Sequence, residues 1–255
     1  MGKVLAITNQ KGGVGKTTTS VNLSASLAAT KRKALLIDLD PQGNATMGSG
    51  IDKKDLSVSI YDVLMGEKSI EEATLSLENT QYDLLPSNSD LTGAEVGLLN
   101  ITNREIQLRK EVEKIRDKYA YIIIDCPPSL NMLTVNALVA ADSVVIPTQC
   151  EYYALEGLSA LLETIEKIKS VLNPKLNVEG LLRTMFDSRN NLANEVSKQL
   201  TDYFGDKVYN TIIPRNVRLA EAPSYGQPII LYDKTSTGAI AYLALAGELM
   251  RKEVQ

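Results

Sequence analysis

Residues 11–18, Lys11-Gly12-Gly13-Val14-Gly15-Lys16-Thr17-Thr18, combine three glycines, two lysines and two adjacent threonines. Glycines let backbone N–H groups turn inward and approach anionic oxygens closely. A helix opening at Thr17 adds free amides and the positive end of its dipole. Lys16 supplies a point charge for β and γ phosphates, and the Thr17 hydroxyl is placed to ligate magnesium. The chemistry within reach is binding of ATP with Mg²⁺. One position departs from the common phosphate-loop pattern G-x-x-x-x-G-K-[ST]: Gln10 stands where its first glycine belongs, and Lys11 opens the loop instead.

Acids close two other apolar runs. Ala34-Leu35-Leu36-Ile37 leads into Asp38-Leu39-Asp40, and Tyr121-Ile122-Ile123-Ile124 leads into Asp125. In open α/β sheets ligands bind at the carboxyl ends of the strands. A carboxylate there can hold magnesium-bound water or orient an attacking water, and phosphoryl transfer needs little more. Such acids can also cap the next helix or turn. Asp38 and Asp40 lie two residues apart and would point the same way along a strand, so spacing does not say which one serves the water.

Composition removes other chemistries. The chain has 255 residues, no histidine and no tryptophan, which excludes Ser-His-Asp and Cys-His catalysis and histidine metal sites. Cys126 and Cys150 make no zinc or CxxC spacing and are expected as buried small residues. With 44% hydrophobic and 23% charged residues the sequence is ordinary for a globular protein, and a net charge of −4 does not announce a nucleic-acid binder. No run approaches the ~20 apolar residues of a membrane span, and the N-terminal apolar run is too short for a signal peptide. A cytoplasmic location is expected.

The elements that must position these residues alternate. Strands are expected at 4–8, 34–38, 82–86, 121–125, 143–147, 178–185 and 208–213, and helices at 17–29, 104–118, 155–172, 193–204 and 238–252. Strands apolar on both faces point to a parallel sheet between helix layers. Residues 1–255 therefore read as a single P-loop NTPase domain of α/β class, with a mostly parallel, doubly wound sheet and helices on both faces. The stretch 43–66 is the least regular and is expected as a surface excursion.

The loop Lys-Gly-Gly-x-Gly-Lys-Thr resembles the deviant Walker A motif of the ParA/MinD superfamily. Asp38-Leu39-Asp40-Pro41-Gln42-Gly43-Asn44-Ala45-Thr46, Asp125-Cys126-Pro127-Pro128-Ser129-Leu130, the stretch from Gln149 to Gly157 and that from Ile213 to Gly226 are similar to chromosome-partitioning ParA proteins, also called Soj. The match runs from Lys3 to about Arg251 and is to the short chromosomal type, without the extra N-terminal DNA-reading domain of the plasmid type. The resemblance implies an ATPase in which Gly12, Gly13, Val14, Gly15, Lys16, Thr17 and Thr18 wrap the phosphates and Thr17 ligates Mg²⁺. It implies that Lys11 reaches the nucleotide of a second subunit, that Asp40 positions the hydrolytic water, and that Asp125 supports the metal through water. Lys11, Lys16, Asp40 and Asp125 are thus the expected catalytic set. Pro214, Arg215 and Asn216 would flank the adenine, and Arg189 and Arg218 would touch DNA without reading its sequence. The implied partners are DNA, a ParB-type centromere-binding protein and a second copy in an ATP-bound homodimer, with nucleoid association and no membrane.

Three rival readings share the loop. A MinD-like membrane ATPase would end in a basic amphipathic helix, whereas residues 243–255 read as a helix packed on the domain. A metal-cluster carrier would need paired cysteines in a context that Cys126 and Cys150 lack. A scaffold that binds ATP without turnover would have no use for intact Asp40 and Asp125.

Overall fold

The computed structural model describes residues 1–252; Glu253, Val254 and Gln255, the end of the expected C-terminal helix, lie outside the described residues. The strands are β1 (Lys3–Ile7), β2 (Ala34–Asp38), β3 (Leu75–Leu77), β4 (Tyr82–Leu85), β5 (Tyr121–Asp125), β6 (Ser143–Gln149), β7 (Asn177–Phe186) and β8 (Val208–Pro214). They form one sheet in the order β3-β4-β2-β5-β1-β6-β7-β8, in which β3 alone runs antiparallel to its neighbour. The helices in chain order are α1 (Lys16–Ala29), α2 (Asn44–Gly48), α3 (Ile60–Met65), α4 (Ile70–Ala73), α5 (Ala94–Gly97), α6 (Gln107–Ile115), α7 (Met132–Ala140), α8 (Ala154–Val171), α9 (Asn191–Phe204), α10 (Val217–Glu221), α11 (Ile229–Tyr232) and α12 (Thr237–Lys252).

Period-two alternation divides the core into two layers. Val4, Ala6, Leu35, Ile37, Ile122 and Ile124 face helices α3 to α9. Leu5, Ile7, Leu36 and Ile123 face α1, α11 and α12. β1 lies between β5 and β6, so the loop after it opens at the middle of the carboxyl edge, with Asp125 in register beside Ile7.

The structure departs from the sequence expectations in local ways. The stretch 43–66 is not only a surface excursion, since it folds α2 and α3 and buries Ala45, Ile60, Val63 and Leu64. The helix expected over 104–118 is α only from Gln107 to Ile115, with 3₁₀ turns at Arg104–Ile106 and Arg116–Lys118. Strand β2 ends at Asp38, so Asp40 does not continue the strand and does not share Asp38's direction.

Candidate nucleotide site

Strand β1 leads into a loop anchored at its first turn. The Asn9 side chain donates Nδ2–H to the Pro147 carbonyl at 2.8 Å and accepts the Lys11 amide at 3.0 Å, fixing the loop entry to β6. Gly13 and Gly15 have φ of 74° and 86°, left-handed values that strain any residue with a Cβ. Gly15 is the N-cap of α1, and no side chain satisfies the first-turn amides. A helix start with free donors is an anion site. From the other side Thr184 on β7 donates its hydroxyl to the Val14 carbonyl at 2.8 Å. Val14 itself is buried, so it serves the loop through its backbone.

A cavity of about 530 Å³ opens over the loop. It is lined by Gly12, Gly13, Gly15, Lys16, Thr17 and Thr18 of the loop, by Asp40 and Gln42, and by Met185, Pro214, Arg215 and Asn216. Lys16 is 7% exposed, and its ammonium donates to the Lys11 carbonyl at 3.2 Å. Burial lowers its pKa, opposed by the charge of Asp125. Met185 holds φ of 48° where the β7–β8 register shifts. That left-handed backbone costs about 1–3 kcal/mol and puts the residue on the cavity wall.

The three acids fall into different positions. Asp125 is wholly buried behind the loop, accepting the Thr17 hydroxyl at 2.8 Å and the Ser20 hydroxyl at 2.7 Å. Asp38 is its partner across the β2–β5 register, equally buried. Burial pushes both carboxyls well above the usual range; the charge of Asp40 adds to this at both, and that of Asp38 adds further at Asp125. Asp38 faces away from the cavity, accepting the Thr46 amide and hydroxyl, both at 2.7 Å. Asp40 lines the cavity, with Oδ1 held by the Gln42 amide at 2.9 Å. Of the two acids, Asp40 lines the cavity and Asp38 does not.

The remaining expected residues divide. Lys11 does not line this cavity; its ammonium pairs with Glu151 beyond β6. Pro214, Arg215 and Asn216 do line it, but the Asn216 side chain is committed, capping α10 through the Leu219 amide at 3.0 Å and donating to the Thr237 hydroxyl at 2.8 Å. Arg189 and Arg218 lie outside it and are ion-paired, Arg189 with Asp187 and Arg218 with Glu221 and Asp233. Cys126 and Cys150 are free, buried thiols, and the described residues include no cluster of three or more His, Cys, Asp and Glu able to hold a metal. Sequence reasoning missed Ser20, Thr184 and Tyr242, the last of which lines the cavity from α12. Ser20 was legible as the residue one helical turn after Lys16; Thr184 and Tyr242 come from distant segments and carry no local signal.

A family model described as AAA domain matches residues 2–178. Over 249 residues the chain is 55% identical to the sporulation initiation inhibitor protein Soj of Bacillus subtilis, covering 98% of each protein. Over 253 residues it is 54% identical to the chromosome partitioning protein ParA of Myxococcus xanthus, covering 99% of this chain and 89% of that one. The chain belongs to the ParA/Soj family of P-loop ATPases. Among solved structures, cobyrinic acid a,c-diamide synthase from Mycobacterium smegmatis with bound ADP and magnesium matches with a TM-score of 0.88 at 38% identity, covering 100% of this chain and 96% of that one. The ParA/Soj cavity has the donor set that ATP and Mg²⁺ require. Loop amides and Lys16 would meet a triphosphate, and the hard oxygens of Thr17 and Asp125 suit magnesium. The Asp125 carboxyl, buried behind Thr17, is one that a divalent cation at the Thr17 hydroxyl would relieve.

Proposed function

We propose that this chain is a nucleotide-switched partitioning ATPase. ATP closes two copies face to face, the closed dimer holds DNA without regard to sequence, and hydrolysis stimulated by a ParB-type centromere-binding partner releases it. The observation that carries this reading is the division between the two loop lysines. Lys16 lines its own cavity, whereas Lys11 stands outside it beside Glu151. A lysine so placed has no work on its own triphosphate, and on leaving Glu151 it can reach one presented by a second copy.

Within each subunit the loop amides and Lys16 hold the triphosphate, and Thr17, backed by Asp125, holds magnesium. A magnesium ion held there would offset the charge on the phosphate oxygens. Asp40 accepts a hydrogen bond from the attacking water and orients it in line. Pro214, Arg215 and Asn216 flank the adenine. Arg189 and Arg218 meet DNA phosphates, which carry no sequence information. The working unit is the single domain of residues 1–255, acting in the cytoplasm on the nucleoid. The packing of α12 against β8 and α1 supports this reading over a membrane-bound one, because its apolar residues Leu245, Ala246 and Leu249 are already buried.

The test is DNA binding measured with no nucleotide, with ADP and with ATP. Binding should appear with ATP alone. Lys11→Ala should still bind nucleotide but remain monomeric by size-exclusion chromatography with light scattering. Asp40→Ala should slow turnover by about 10²–10⁴-fold and accumulate on DNA. Equal DNA binding in all three nucleotide states overturns the switch, and ATP-dependent sedimentation with liposomes instead of DNA favours the membrane rival.

A further inference from the structure

Strands β2 and β4 are parallel neighbours, with Ile37 opposite Leu85, so their carboxyl ends emerge side by side. Just beyond them lie Thr46, at the start of α2, and Ser87, after Pro86. Both are completely buried and neither lines the nucleotide cavity. Thr46 donates its hydroxyl to Asp38 Oδ2 at 2.7 Å and accepts the Ser87 amide at 2.9 Å on the same oxygen. Ser87 donates its own hydroxyl to the Asp40 carbonyl at 2.9 Å. The Asp40 amide closes the ring on Asp38 Oδ1 at 3.2 Å.

The ring holds Asp40 by both backbone groups. Its carbonyl also accepts the Gly43 amide at 2.9 Å, and Oδ1 is held by Gln42. Gly43 is seated against the same ring, since a Cβ there would lie 2.8 Å from the Ser87 carbonyl. The one polar atom of Asp40 with no hydrogen bond among the described residues is Oδ2, on the residue that lines the cavity. An acid fixed in this way keeps one oxygen aimed and costs little reorganisation when a water must be oriented.

We propose that Thr46 and Ser87 are positioning residues for hydrolysis: they touch neither nucleotide nor metal and act by fixing Asp40 against the water it orients. This rests on the assignment of Asp40 as the water-orienting acid. A displacement of about 1 Å at such a group can cost on the order of 10²-fold in rate.

The test uses the full chain with radiolabelled ATP in single turnover. Thr46→Val removes the hydroxyl at nearly constant shape, and Ser87→Ala removes the donor to Asp40. Each should lower kcat about 10- to 100-fold while ATP affinity stays within about two-fold, and Thr46→Ser should restore the rate. In an Asp40→Ala background, Ser87→Ala should slow hydrolysis no further, because a group acting only through Asp40 is silent without it. The proposal is overturned if kcat is unchanged in the folded Ser87→Ala protein, if ATP affinity falls in step with kcat, or if Ser87→Ala slows the Asp40→Ala enzyme by the same factor. Should Thr46→Val fail to fold, Ser87→Ala decides alone. Wild-type turnover by Asp40→Ala would instead remove the assignment of Asp40, which separates the two failures.

Discussion

Replacing Asp187 by asparagine should strengthen binding to DNA. Arg189 is 88% exposed at its side chain, yet its guanidinium is engaged twice by Asp187, Nε to Oδ1 at 2.9 Å and Nη2 to Oδ2 at 2.7 Å. The pair is neutral as a unit, and a phosphate must compete for the same two N–H groups. The Asp187→Asn variant would keep the turn, because the amide oxygen of the new side chain can still accept the Arg189 backbone N–H, now 3.1 Å from Asp187 Oδ1. The substitution would remove the charge that opposes a phosphate and leave Arg189 free to meet it. In wild type the contact Arg189 makes with a phosphate leaves the Asp187 carboxylate uncompensated, so each subunit freed of that charge steepens the plot of log affinity against log salt by about 0.9. Two subunits give about 1.8, so raising salt four-fold should weaken the variant's binding roughly 12-fold more than wild type. The assay is fluorescence anisotropy with ATP on two unrelated duplexes across a salt series. Affinity should rise equally on both duplexes, and Arg189→Ala should abolish the gain. An unchanged salt slope in Asp187→Asn, or a gain that survives Arg189→Ala, would refute the assignment of Arg189 to the DNA surface.

Lys16→Ala removes the one ammonium that lines the cavity among the described residues and should reduce ATP turnover by about 10²-fold or more, as for loss of a preorganised donor; a phosphate-release assay showing wild-type turnover would contradict the loop assignment. Glu151→Gln releases Lys11 from its partner within the same chain. It should lower the ATP concentration for half-maximal dimerisation by up to about five-fold, the scale of an exposed ion pair, and light scattering across an ATP titration reads this directly. Glu248 on α12 accepts the Asn210 amide, the Thr211 amide and the Thr211 hydroxyl, at 2.7, 2.9 and 2.7 Å. Burial raises its pKa, but the bonds from Thr211 and Asn210 outweigh this and hold it below the usual 4.5. The stabilisation is therefore present above pH 4.5 and is lost as pH falls through the lowered native value. Glu248→Gln should cost about 1–3 kcal/mol at pH 7 and flatten the acid limb of stability, measured by urea unfolding at several pH values.

The fold was legible where one signal dominated. Tyr121-Ile122-Ile123-Ile124 could only be a strand covered on both faces, and β5 is fully buried. Helix α7 was not legible, because Met132-Leu133-Thr134-Val135-Asn136-Ala137-Leu138-Val139-Ala140 is apolar nearly all round and shows no helical stripe. A helix buried between others has no polar face to set a period. Strand β3 is short, half-exposed and antiparallel at the sheet edge, and three residues carry too little pattern to declare themselves. Helix α2 was hidden for another reason: its N-cap is Gly43 in the left-handed region with no side-chain cap, so the usual start signal is missing.

At the site, the loop residues that line the cavity lie together in sequence, and a helix start after glycines announces itself. The residues that hold the acids are not contiguous. Asp38 and Asp40 differ in placement because β2 stops between them, and the Thr46 donors that draw Asp38 away come from the following helix. A further tie joins segments far apart in the chain. Gly50, just after α2, packs against Gly226, which ends the turn after α10; a Cβ on Gly50 would lie 2.9 Å from the Gly226 carbonyl, and one on Gly226 would lie 2.8 Å from Gly50 Cα. Both glycines have positive φ. Helix α2 is thus tied through Thr46 to Asp38 and Ser87, which hold the Asp40 backbone, and the residue just beyond it abuts the segment that follows Arg218.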